Sequence, residues 1–187
     1  IMDLIKMYKT AAEVCIKSYK VRKDLGSTEY LLELFENDGE LWQALIIPGT
    51  DELVDWFKNL NPSTIAGMKK ASVEAALDIR IDARDSIDPN VPLVVIGHSK
   101  GAATALVYHK IWKADYCIAF CPARCFREQE QLDNCTIFID PDDAVPNLGF
   151  IRFKLPKCKI VQLPKDHLWF RVSDHLMKHI KEYTDEL

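Results

Sequence analysis

The 187-residue sequence contains no apolar run long enough to span a bilayer, which argues against a helical membrane protein. It has no stripe of lysine and arginine. Its net charge is −4 and acids and bases are intermixed, so nothing in it attracts nucleic acid or marks a membrane surface. None of its six cysteines forms a Cys-x-x-C pair. Cys117, Cys121 and Cys125 lack the second Cys/His pair that a structural zinc ion needs, so no metal site is expected. The Gly-x-x-x-x-Gly-Lys spacing of a phosphate loop is absent. Repeats, low-complexity segments and linkers are absent too, and the expectation is a single domain over residues 1–187. The opening stretch IMDLIKMYK is broken by Asp3, Lys6 and Lys9 and does not read as a signal peptide. Several cysteines lie in apolar patterns, as reduced core thiols do, so the expected location is the cytoplasm.

What is present is a globular balance, 48% hydrophobic and 28% charged. Apolar residues at helical spacing predict a helix over 3–19. Two strand-like runs, 30–35 and 41–47, flank Asn37-Asp38-Gly39 and predict a hairpin. Helical patterns follow over 51–60 and 65–84. A strand over 92–96 leads into a helix over 100–112. Short strands are predicted at 116–120, 136–139 and 159–163, with 122–134 irregular, and a last helix runs from about 173 to 183. Strands alternating with helices predict an α/β layer fold: a central, mostly parallel sheet, an antiparallel N-terminal hairpin, and helices on both faces.

The chemistry concentrates at Gly97-His98-Ser99-Lys100-Gly101, between the strand at 92–96 and the helix at 100–112. A nucleophilic serine needs an exposed hydroxyl on a rigid support. A tight strand-to-helix turn provides it and leaves no room for side chains two residues before and after, where Gly97 and Gly101 stand. The helix aims its first amides at the site, and the Lys100 N–H would face an oxygen that becomes negative during acyl transfer. Such a serine requires a base, and the base an orienting acid, in the chain order serine, acid, histidine. Asp140, Asp142 and Asp143 follow the strand at 136–139. His167 and His175 both follow the last strand, and His179 lies deeper in the final helix. His98 adjoins the serine and should point away from it, and His109 reads as a helix-face residue.

These residues resemble the class 3 lipase family, a branch of the α/β-hydrolases, over most of the chain. Gly97 to Gly101 is similar to its Gly-His-Ser-x-Gly elbow. ALIIPGTDELVDWFKNL, residues 44–60, resembles its strand ending in Arg-Gly-Thr or Arg-Gly-Ser followed by Asp-Trp. IDPDDAVPNL, residues 139–148, resembles its Asp-x-Val-Pro segment. The resemblance implies Asp143 as the acid and Thr50 as the oxyanion residue beside Lys100. It implies His175, at the opening of the last helix, as the base, with His167 in DHLWF as the alternative. It also implies that helix 51–60 is a mobile lid whose Leu53, Trp56 and Phe57 meet acyl chains. Packing of that stripe onto the core explains the same pattern. Pro48 departs from the family's arginine, and Ala66-Gly67-Met68 lacks a histidine often found there.

The expected activity is hydrolysis of a carboxylic ester, on a small-molecule or lipid substrate, through an acyl-enzyme and without a cofactor. A thioesterase or amidase could use the same triad. A hydrolase-like binding protein without turnover is the alternative from a different class.

Overall fold

The computed structural model describes residues 3–21, 29–49, 63–141 and 152–163. Asp38 and Gly39 have φ of 55° and 77°. This left-handed pair is the turn that matches the twist of a two-residue hairpin. It folds β1 (Leu31–Asn37) antiparallel onto β2 (Glu40–Ile47). From β2 the sheet continues in parallel through β5 (Leu93–His98), β6 (Tyr116–Phe120), β7 (Gln131–Ile139) and β8 (Lys157–Gln162). Mostly parallel, with one antiparallel hairpin at the N-terminal edge, the sheet is the one expected.

Period-two alternation decides which layer each residue joins. Ala44 and Ile46 of β2, with Val94, Ile96, Ile118 and Phe120, face α1 (Leu4–Val21), which buries Met7, Tyr8, Ala11, Ala12 and Cys15 against them. Leu45 and Ile47, with Val95, Cys117, Ala119 and Ile137, face the opposite layer. That layer holds α2 (Lys70–Asp82) and α3 (Lys100–Trp112). Every residue of α3 from Gly101 to His109 is buried. Its run of small residues permits this, because the helix is enclosed by the sheet and α2 together. Gln43 is buried and fully used: its amide donates to the carbonyls of Asp88 and Val91 at 2.6 and 2.7 Å, and its oxygen accepts from the Asp88 N–H at 3.1 Å. The loop into β5 is thereby fixed.

Several sequence boundaries shift, three of them next to the elbow or in segments read differently. The helix predicted over 65–84 begins only at Lys70; before it, β3 (Thr64–Ile65) and β4 (Met68–Lys69) form a small hairpin about Ala66-Gly67. Both turn residues have positive φ, 49° and 77°, which a helix excludes. β7 starts at Gln131 rather than 136, because its first half is polar and irregularly paired, with a register shift between Gln131 and Thr136. β5 runs on to His98, two residues past the apolar run. The helices predicted over 51–60 and 173–183 lie outside the described residues. Among the described residues, no helix is long and apolar enough to cross a membrane.

Candidate active site

Parallel strands end on the same edge of a sheet. β2, β5, β6, β7 and β8 therefore all deliver their C-terminal ends to one edge, where sites in open α/β folds gather. Ser99 stands at the centre of that edge, between β5 and α3.

Its backbone adopts φ 55° and ψ −118°. A side chain seldom tolerates this region, which costs on the order of 1–3 kcal/mol and persists only where the surroundings enforce it. The surroundings here do. The Ser99 N–H donates to the Phe120 carbonyl at 2.9 Å, extending the β5–β6 ladder by one residue. The Ser99 carbonyl accepts from the Ala103 N–H at 3.2 Å and from the Ala123 N–H at 3.4 Å. Ser99 holds the N-cap position of α3, yet its hydroxyl does not cap the helix. The hydroxyl is therefore not consumed by the role a serine usually plays there.

The flanking glycines are required by space. A Cβ on Gly97 would lie 2.5 Å from the Gly101 carbonyl oxygen. A Cβ on Gly101 would overlap the carbonyl oxygens of Ile47 and Pro48. The turn of β5 into α3 thus passes against the end of β2 at backbone contact distance. Gly49 completes this packing: a Cβ there would approach the Ser99 Cβ to 3.2 Å. The chain just before Thr50 therefore runs directly beside Ser99.

Lys100 opens α3, and the amides of its first turn have no acceptor within the helix. Its ammonium lies within electrostatic reach of Lys69 on β4, whose own pKa is lowered by burial and by this repulsion, against an opposing influence of Cys125. His98 points to the other face, as expected. It is 3% exposed, and burial depresses its pKa to about 4, so the ring is neutral at ordinary pH. Its Nδ1 is 2.5 Å from the Tyr19 hydroxyl. His109 is also buried; its Nε2–H donates to the Asp133 carbonyl at 2.8 Å, and burial first of all lowers its pKa.

The structure thus brings together Gly97, His98, Ser99, Lys100, Gly101 and the residue preceding Thr50. Thr50, Leu53, Trp56, Phe57, Asp143, His167 and His175 lie outside the described residues. Asp140 is described, half-buried just beyond β7 on the same edge. Two contributors escaped the sequence reading. Cys121 has φ 47° and donates its N–H to the Phe138 carbonyl at 2.8 Å, turning the chain after β6 so that Ala123 reaches the elbow. Tyr19 reaches His98 and Gly49 from α1. No local spacing could have linked it to either.

No protein-family model matches this chain, and no curated protein matches it. Solved structures do match. The Lip2 lipase of Yarrowia lipolytica superposes with a TM-score of 0.58 at 12% identity, over 87% of this chain and 80% of that one. The Rhizomucor miehei lipase, in a propeptide complex, gives a TM-score of 0.58 at 14% identity, over 94% of this chain and 74% of that one. A nonglycosylated Lip2 structure gives 0.55 at 12% identity, over 86% and 79%. The chain thus shares the α/β-hydrolase-like fold of these lipases, as the sequence resemblance implied.

Proposed function

We propose that this chain is a serine hydrolase that cleaves carboxylic esters. The observation that carries the reading is the backbone of Ser99, held at φ 55° and ψ −118° between β5 and α3 with its hydroxyl left uncapped. Strain of this kind serves no purpose in a plain strand–helix turn, whereas a nucleophile needs the exposure it gives. In this reading the Ser99 hydroxyl attacks the ester carbonyl. His175, or His167 in its place, takes the proton and returns it to the leaving alcohol. Asp143 orients the imidazole and stabilises its charged form. The amides of Thr50 and Lys100 hold the oxyanion, and water then cleaves the acyl-enzyme. The triad needs no metal or cofactor. The substrate is a small-molecule or lipid ester, and the fold shared with lipases supports the lipid side of that range.

A fluorophosphonate probe and p-nitrophenyl esters of graded chain length test the reading. The expected result is a single adduct on Ser99 and ester turnover, both abolished in a folded Ser99→Ala variant. Wild-type protein that neither labels nor turns over ester, or Ser99→Ala that retains turnover, overturns it. Parallel assays on thioester and anilide substrates separate an esterase from a thioesterase or amidase.

A further inference from the structure

The register of β2 with β5 ends at Ile47 and Gly97. Beyond it Pro48 has no N–H to offer, and Gly49 has left the ladder. The segment leading to Thr50 therefore needs another anchor if its distance from Ser99 is to be fixed. That anchor comes from the opposite layer. Tyr19, in the last turn of α1, accepts a hydrogen bond from the Gly49 N–H at 2.9 Å. The same hydroxyl is hydrogen-bonded to His98 Nδ1 at 2.5 Å. The Tyr19 and His98 rings meet edge to face, with centroids 5.7 Å apart. A Cβ on Gly49 would lie 2.6 Å from the Tyr19 hydroxyl oxygen, so nothing larger than glycine leaves room for the bond.

We infer that Tyr19 is a positioning residue that clamps the oxyanion segment to the nucleophile elbow. One oxygen bridges the residue before Thr50 and the residue before Ser99. It holds Gly49, the residue from which the oxyanion segment continues, at a set distance from the elbow. A displacement of about 1 Å in such a pair costs on the order of 100-fold in rate. Burial keeps His98 neutral, and the ring makes a single directed hydrogen bond through Nδ1 rather than acting as a proton carrier. The consequence for rate rests on the serine hydrolase reading above; the clamp itself does not.

Tyr19→Phe removes the bridging oxygen and keeps the ring contact. Tyr8→Phe is the matched control. It removes another α1 hydroxyl, one that lies near Tyr116 and Thr136 at 3.3 and 3.0 Å, away from the elbow. In Tyr19→Phe, kcat on a p-nitrophenyl ester is expected to fall about 10- to 100-fold with KM within about twofold. Fluorophosphonate labelling of Ser99 should slow by a similar factor. Exchange of the Gly49 amide should quicken at least about tenfold, and the 15N shift of His98 Nδ1 should move. Tyr8→Phe should change none of these. Wild-type kinetics and labelling in Tyr19→Phe overturn the positioning role. If wild-type protein itself shows no serine reactivity, the hydrolase reading fails separately. Gly49 exchange and the His98 shift then decide the clamp, which stands if both respond to Tyr19→Phe alone and falls if either does not.

Discussion

Single atoms decide the elbow. The Cβ of an alanine at position 101 would occupy the same space as the Ile47 and Pro48 carbonyl oxygens. Gly101→Ala must therefore push α3 off the sheet, and a cost of at least about 3 kcal/mol is expected from overpacking at backbone rather than side-chain atoms. Urea unfolding measures it; a variant as stable as the parent would mean that α3 does not cross β2 this closely. His98 makes the matching argument from charge. Its pKa is depressed to about 4, below the ordinary value of 6.5, because the ring is buried. Between those values the unfolded chain binds a proton that the folded chain refuses. Stability from this group is complete above pH 6.5 and is lost as pH falls toward 4, by about 3 kcal/mol in all. His109 acts in the same direction. Denaturation curves between pH 7 and 4.5 should be steeper for the wild type than for His98→Gln, and equal slopes would contradict the burial of that ring as a neutral base.

The elements show where sequence reading succeeds and where it stops. α3 and β6 were legible to the residue, because an alanine-rich stretch after the glycine-bounded elbow marks the helix and the apolar run Tyr116–Phe120 marks the strand. The 65–84 segment was not. Ile65 and Met68 fit a helical stripe, yet the three residues Ile65, Ala66 and Gly67 are each exposed, and the stripe belongs to a turn. The first half of β7 was illegible for the opposite reason: Gln131, Asp133 and Asn134 face solvent and carry no apolar signal, and only the pairing of Gln131 with Lys157 starts the strand so early. The two descriptions of residue 67 predict opposite signs. In a helix, Gly67→Ala would stabilise by about 1 kcal/mol. At φ 77°, with nothing within 4 Å of the added Cβ, the substitution meets no clash and pays only the left-handed backbone, so it should destabilise by roughly 1 kcal/mol. The sign of the shift in urea midpoint tells hairpin from helix.

At the scale of the molecule, the candidate site depends on two layers staying on one sheet, since Ser99 is held by β6 and α3 while Tyr19 arrives from α1. The sequence exposed the first connection, because the elbow is contiguous. It hid the second, because Tyr19 lies 79 positions from His98 and the two meet only after α1 docks. Cysteines on both layers report whether that docking is cooperative. Cys15 lies on the buried face of α1, and burial raises its pKa to about 12. Cys125 lies in the opposite layer and is raised by burial as well. Cys135 is raised chiefly by its hydrogen bond with Cys117, and Cys158 by its hydrogen bond with Cys135. Alkylation needs the thiolate and access to it, so neither Cys15 nor Cys125 should react while the sheet is covered on both faces. With iodoacetamide at pH 8, the two should be modified at similar, slow rates that track global unfolding and rise together in low urea. Modification of Cys15 more than about tenfold faster than Cys125 would show α1 lifting off alone, and with it the hydroxyl that joins Gly49 to His98.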